Sequence, residues 1–195
     1  NNDDILIYDN SDLKSSCRLW FSLLYFGHDE KKIYILNGGL KKWIFENKPI
    51  TKLTTEIVKS NYVTNEKENL VVSFNQIKKN ILSKSFNVID ARSLERFEGK
   101  VSEPRKGLRS GHIQNSFCLP FNQCINQKTG EFKNLEELRE LFNQNENIEK
   151  RLDQVFTCGS GVTAAVLAYA YKMVNNDYIP KIYDGSWSEY GKYPA

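Results

Sequence analysis

The stretch Val155-Phe156-Thr157-Cys158-Gly159-Ser160-Gly161-Val162-Thr163-Ala164-Ala165-Val166 decides how this chain folds. Its first three residues are β-branched or aromatic and read as a short buried strand. From Val162 the composition changes to a mostly apolar run that continues to Val174 and reads as a buried helix. Between the two lies a tight turn holding one cysteine and two glycines. A strand turning directly into a helix is the repeating unit of a parallel sheet covered by helices.

Working outward, the same alternation recurs. Ile5-Leu6-Ile7-Tyr8 reads as a strand and Asp9-Asn10-Ser11-Asp12 as a turn or cap. Leu13 to Phe26 has a helical period, with Leu19, Leu23 and Phe26 on one side and Gly27 as its stop. Ile33-Tyr34-Ile35-Leu36 is a second strand, and Asn37-Gly38-Gly39 turns into a short helix around Leu40 to Phe45. Pro49 to about Val71 is polar, lacks a helical period and reads as a linker. Next come a helix over Phe74 to Leu82, a strand over Phe86 to Asp90, a long charged loop over Ala91 to Gly111, and a short strand within Asn115 to Phe121. Asn134 caps a helix opened by Leu135-Glu136-Glu137, with acids in its first turn. Lys181-Ile182-Tyr183 is the last strand, and Asp184-Gly185-Ser186 turns out of it.

An internal repeat organises these elements. Ile7-Tyr8-Asp9-Asn10-Ser11 aligns with Phe156-Thr157-Cys158-Gly159-Ser160 as strand, polar turn and start of a helix. Each copy then reaches a second strand and a glycine turn, Leu36-Asn37-Gly38-Gly39 in one and Tyr183-Asp184-Gly185-Ser186 in the other. The second copy has Cys158 where the first has Asp9, so one copy carries a nucleophile candidate and the other does not.

Cys158 ends a strand and precedes a helix. Gly159, Ser160, Gly161, Val162 and Thr163 supply backbone N–H groups without helical acceptors, and the glycines let that backbone curl. The expected result is a ring of donors around one sulfur at a positive helix end, which favours the reactive thiolate and would also hold a persulfide. The competing reading is a buried structural cysteine before a glycine cap. A cysteine phosphatase would need an arginine six residues after its cysteine, and Ala164 stands there. A Cys–His hydrolase has only His28 and His112 to draw on, and both sit in Gly-His turns that read as structural. Arg96 and Arg105 follow a predicted strand, so their loop shares the carboxyl edge of the sheet with Cys158. Two guanidinium forks there suit a carboxylate with a neighbouring keto group; the alternative is two solvated loop arginines.

Composition narrows the class. The chain has 195 residues, 40% apolar and 26% charged, as a globular protein does. The net charge of +3 is too mild, and its lysines too scattered, to argue for nucleic acid. No apolar run is long enough to span a bilayer, and no leader is recognisable at the start, so the expected location is cytoplasmic. Cys17, Cys118, Cys124 and Cys158 form no C-x-x-C pair, and two histidines are few for a zinc site; free thiols are expected.

Taken together, Asp90-Ala91-Arg92, Arg96-Phe97, Glu103-Pro104-Arg105, Leu108-Arg109-Ser110-Gly111-His112-Ile113, Leu119-Pro120-Phe121, the loop Cys158 to Ala164 and Tyr183-Asp184-Gly185-Ser186-Trp187-Ser188-Glu189 resemble the catalytic domain of the tandem rhodanese family. The loop CGSGVT resembles the 3-mercaptopyruvate sulfurtransferases of that family. Thiosulfate sulfurtransferases usually carry an Arg-Lys pair where Gly159 and Ser160 stand. The segments Tyr8-Asp9-Asn10, Phe26-Gly27-His28-Asp29 and Leu36-Asn37-Gly38-Gly39 look like the end of the family's inactive first domain.

The resemblance implies an α/β fold: a rhodanese-like parallel sheet with helices on both faces, preceded by an incomplete second rhodanese-like domain. Residues 1–49 would be the C-terminal part of the inactive domain, 50–71 the linker and 72–195 the catalytic domain. It implies that Cys158 takes sulfur from 3-mercaptopyruvate, that Arg96 and Arg105 bind the carboxylate and keto oxygen, and that Ser160 assists with protons or orientation. Gly159, Ser160, Gly161, Val162 and Thr163 would hold the persulfide. A thiol such as thioredoxin, or cyanide, would accept the sulfur, with no metal and no organic cofactor. Thiosulfate as donor, or a persulfide carrier without turnover, are the alternatives. The resemblance further implies that the chain is a piece of a longer protein, with the missing first-domain segment as a partner, and that residues 5–43 alone would leave apolar edges exposed.

Overall fold

The computed structural model describes residues 3–144, 146 and 148–193. In chain order its elements are β1 (Ile5–Ile7), α1 (Ser16–Tyr25), β2 (Ile33–Ile35), α2 (Gly39–Phe45), α3 (Phe74–Ser83), β3 (Phe86–Asp90), α4 (Leu94–Phe97), β4 (Phe117–Cys118), α5 (Leu135–Asn143), β5 (Asp153–Thr157), α6 (Val162–Val174), β6 (Lys181–Ile182) and α7 (Ser186–Tyr190). Short 3-10 turns lie at Glu30–Lys32, Glu68–Leu70 and Phe121–Cys124. β1 and β2 form a two-stranded parallel sheet, and the other strands a four-stranded parallel sheet in the order β4-β3-β5-β6.

The larger sheet is covered on both faces because its inner strands alternate. Val88 and Val155 point to one side, where they meet Ile77 of α3, Tyr183 and Trp187 of α7. Ile89 and Phe156 point to the other, where α5 and α6 close the core. Local chemistry sets the covering helices. Ser73 and Gln76 form a reciprocal capping box at the start of α3, and Asn134 and Glu137 do the same for α5. α6 buries Ala164, Ala165, Val166, Leu167, Ala168 and Ala170, as an all-apolar helix must.

Two expectations are corrected. The stretch from Ala91 to Gly111 is not a plain loop, because Leu94–Phe97 coils into α4. The turn after β6 becomes the helix α7. At the expected end of the linker, Val71 bridges Ile182 and the Val72 N–H donates to the Ile182 carbonyl at 2.9 Å, which ties the start of the following unit to β6. Helices of four or five residues are too short to show a period, and a lone bridge leaves no pattern in sequence.

The segment before the linker is welded to the rest. Trp20, Phe21 and Leu24 of α1 share one core with α6, and Trp20 meets Tyr169 edge to face at 5.0 Å. Its small sheet leaves Leu6, Tyr8 and Tyr34 exposed. The two strand–helix–strand units close alike. Leu36 N–H donates to the Ile7 carbonyl at 2.8 Å, as Tyr183 N–H does to Phe156 at 2.9 Å. Leu40 N–H donates to the Asp9 carbonyl at 2.9 Å, as Trp187 N–H does to Cys158 at 2.9 Å.

Candidate active site

Cys158 follows directly on β5, an inner strand, and is 2% exposed. The Ser160 N–H donates to its Sγ at 3.4 Å. The sequence pointed to a ring of five donors; among the described residues Ser160 N–H is the one at bonding distance. The first N–H groups of α6, from Val162 and Thr163, lack helical acceptors and face no acidic residue in their first turn. Gly161 opens α6 with φ +79, a left-handed conformation that glycine adopts at little cost.

The turn into α7 supports this loop from behind. Trp187 N–H donates to the Cys158 carbonyl and Ser188 N–H to the Gly159 carbonyl, each at 2.9 Å. Ser186 is fully buried with φ +52. The equivalent position in the first unit is Gly39, with φ +57. A serine tolerates that strain here because its hydroxyl is used: it accepts the Cys158 N–H at 3.3 Å and donates to the Tyr183 carbonyl at 2.9 Å.

Arg96 and Arg105 both come to the loop. Arg105 Nη2 donates to Ser160 Oγ at 3.0 Å, and its Nη1 reaches the Gly159 carbonyl at 3.5 Å. A Cβ at Gly159 would stand 3.1 Å from Arg96 Nη2 and 3.5 Å from Arg105 Nη1. The absence of a side chain there lets both guanidinium groups close on the loop.

Behind them is a buried charge network of Asp90, Arg92 and Glu103, whose roles their sequence motifs do not reveal. Arg92 donates from Nε and Nη2 to Asp90, from Nη1 to Glu103 at 2.8 Å and from Nη2 to the Gly111 carbonyl at 2.8 Å. Its guanidinium lies 4.4 Å over the Trp187 ring. Glu103 also accepts from Arg96 Nε at 3.1 Å and Nη2 at 2.6 Å. Burial works to raise the Glu103 carboxyl, but the bonds and charges of Arg96 and Arg92 prevail and hold it below the usual carboxylate range. Glu103 thus fixes Arg96 at the rim of the loop. The spacing Asp90-x-Arg92 was the available signal; the pairing to Glu103 is tertiary.

The other cysteines stand apart chemically. Burial pushes the thiols of Cys118 and Cys124 up to about 12 and that of Cys17 higher still, so these three remain protonated at neutral pH. All four cysteines are free. His112 stacks on Phe97 at 4.0 Å and bonds its carbonyl through Nδ1 at 2.8 Å. His28 is buried, bonds the Asp3 carbonyl at 3.0 Å and stacks on Tyr62. Both histidines are engaged in structural contacts.

A cysteine at the carboxyl end of a central parallel strand, under two arginines and before a helix start, defines an α/β protein with a thiol at the ligand edge of its sheet. Residues 73–193 match the rhodanese-like domain model, and the chain belongs to that family. It is 34% identical over 222 residues to thiosulfate/3-mercaptopyruvate sulfurtransferase 1, mitochondrial, of Arabidopsis thaliana, covering 100% of this chain and 55% of that protein. It is 35% identical to 3-mercaptopyruvate sulfurtransferase of Homo sapiens, covering 95% and 62% respectively. SseA of Escherichia coli, described as a 3-mercaptopyruvate sulfotransferase with a rhodanese fold, superposes with a TM-score of 0.79 at 30% identity, over 94% of this chain and 66% of that one. The chain therefore spans a little over half the length of these two curated relatives. Among the described residues no helix is long and apolar enough to cross a membrane.

Proposed function

We propose that this chain transfers sulfur from 3-mercaptopyruvate to a thiol through a persulfide on Cys158. The observation that carries this reading is the meeting of Arg96 and Arg105 at Gly159, beside a Cys158 sulfur that already accepts the Ser160 N–H. The Cys158 thiolate attacks the donor sulfur, forming an S–S bond as the C–S bond of the donor breaks. The bonding pair stays on carbon as the pyruvate enolate, which then takes a proton from solvent. Arg96 and Arg105 hold the carboxylate and keto oxygen, where the enolate charge develops. Ser160, tied to Arg105 through its hydroxyl and to the sulfur through its N–H, keeps the two halves of the site in register. The Ser160 N–H stabilises the thiolate before the step and the persulfide after it, and the start of α6 adds its positive end to the same loop. A thiolate acceptor such as reduced thioredoxin then attacks the outer sulfur and releases the Cys158 thiolate.

Thiosulfate is the second donor to consider, because the Arabidopsis relative is named for both. It has no carboxylate–ketone pair to fill two guanidinium forks, and Gly159-Ser160 puts no cation directly after the cysteine. We read residues 1–49 as the end of a preceding rhodanese-like unit and 72–195 as the catalytic one, supported by the equivalent closing bonds of the two units.

The test is pyruvate release from 3-mercaptopyruvate with a thiol acceptor, beside thiosulfate and beside Cys158→Ser, with intact-mass measurement. Pyruvate release, gain of one sulfur atom and loss of both in the variant are expected. Faster turnover of thiosulfate would replace the donor. A folded protein that gains no sulfur would refute the reading.

A further inference from the structure

Arg18 belongs to none of the motifs around Cys158. It is on α1, before the family-matched residues, yet it reaches the loop that follows Cys158. Its Nη1 donates to the Gly161 carbonyl at 3.4 Å and to Asp184 Oδ1, and its Nη2 donates to Asp184 Oδ2 at 3.3 Å. A Cβ at Gly161 would stand 2.5 Å from Asp184 Oδ1 and 2.7 Å from Arg18 Nη1. The ion pair therefore packs directly on the residue that opens α6. Asp184 in turn begins the turn to Ser186, whose hydroxyl accepts the Cys158 N–H.

We propose that Arg18 is a positioning residue for Cys158: paired with Asp184, it anchors the Gly161 carbonyl and so holds the far end of the loop whose Ser160 N–H donates to the sulfur. This rests on reading Cys158 as the nucleophile. In a planar trans peptide the Val162 N–H points opposite to the Gly161 carbonyl, so a donor on that oxygen sets the direction of the first free N–H of the helix. Arg18 also neutralises Asp184, a carboxylate that would otherwise oppose negative charge on the sulfur. The other charged groups at this loop are Arg96 and Arg105 at Gly159, with Glu103 behind Arg96. α6 contributes no acid in its first turn. α1 places Arg18 reliably because it is packed on α6 through Trp20 and Phe21.

The experiment measures alkylation of Cys158 by iodoacetamide against pH, read by peptide mass spectrometry on the full chain. Wild type, Arg18→Gln and Arg18→Met are compared, with thermal unfolding of each. Arg18→Met retains most of the side-chain volume over Phe21 and serves if the glutamine variant does not fold. Expected is alkylation roughly 3- to 10-fold slower at pH 7, with the rate curve displaced to higher pH, as for a thiolate that has lost stabilising donors. A folded variant whose curve superimposes on wild type overturns the proposal, even if its melting temperature falls. The comparison does not need sulfur turnover. If wild type releases no pyruvate, the functional reading falls while the alkylation curves still decide the role of Arg18.

Discussion

Gly161 is the residue at which the loop tolerates least. Its φ of +79 costs an L-residue about 1–2 kcal/mol, and a Cβ would also press on Asp184 and Arg18. Gly161→Ala is expected to lower the melting temperature and to cut sulfur transfer more than tenfold; unfolding scans and pyruvate assays on the same sample check both. Glu103 makes a second prediction, this time about pH. Its folded carboxyl titrates below its unfolded value, so its contribution is complete above about pH 4.3 and is lost as pH falls through the folded value. The stability gap between wild type and Glu103→Gln, measured by urea unfolding, should be widest near neutrality, on the order of 3 kcal/mol, and narrow below about pH 4. Cys158, Arg96, Arg105 and Ser160 were legible because each lies in a short motif after a strand. Arg18 and Ser186 were not: one arrives through helix packing, the other through a strained turn whose purpose appears only when the Cys158 N–H is seen against it.

At the level of elements, α6 carries the site. Its buried alanines let α1, α5 and the strands of the larger sheet approach closely, so added volume has nowhere to go. Ala168→Leu should cost about 1–3 kcal/mol in denaturant unfolding, the usual penalty of overpacking. α6 and β3 were readable at their full extent, whereas β5 starts at Asp153, two residues before the β-branched and aromatic run at residues 155–157, because the polar Asp153 and Gln154 carry no strand pattern. α4 and α7 were hidden by their brevity, yet α7 supplies the N–H groups that hold the Cys158 and Gly159 carbonyls.

Across the whole molecule, the sequence separates residues 1–49 from the family-matched domain, whereas packing joins them. Trp20, Phe21 and Leu24 close the outer face of α6. A chain lacking residues 1–49 is therefore expected to bind a hydrophobic dye and to unfold at lower denaturant than the full chain; an unchanged midpoint would show that α1 adds little to the core. Covalent linkage and packing are thus two separate connections between the same parts. The segment from Ile50 to Val63 holds Leu53, Ile57 and Val58 almost fully in solvent, which makes it the natural place for a protease to cut. One cut there severs the chain while leaving the α1–α6 seam intact, so the two pieces should migrate together on a native gel and apart on a denaturing one. Their refolding would change in kind: a first-order reaction of one chain becomes a second-order meeting of two, and its rate acquires a dependence on concentration.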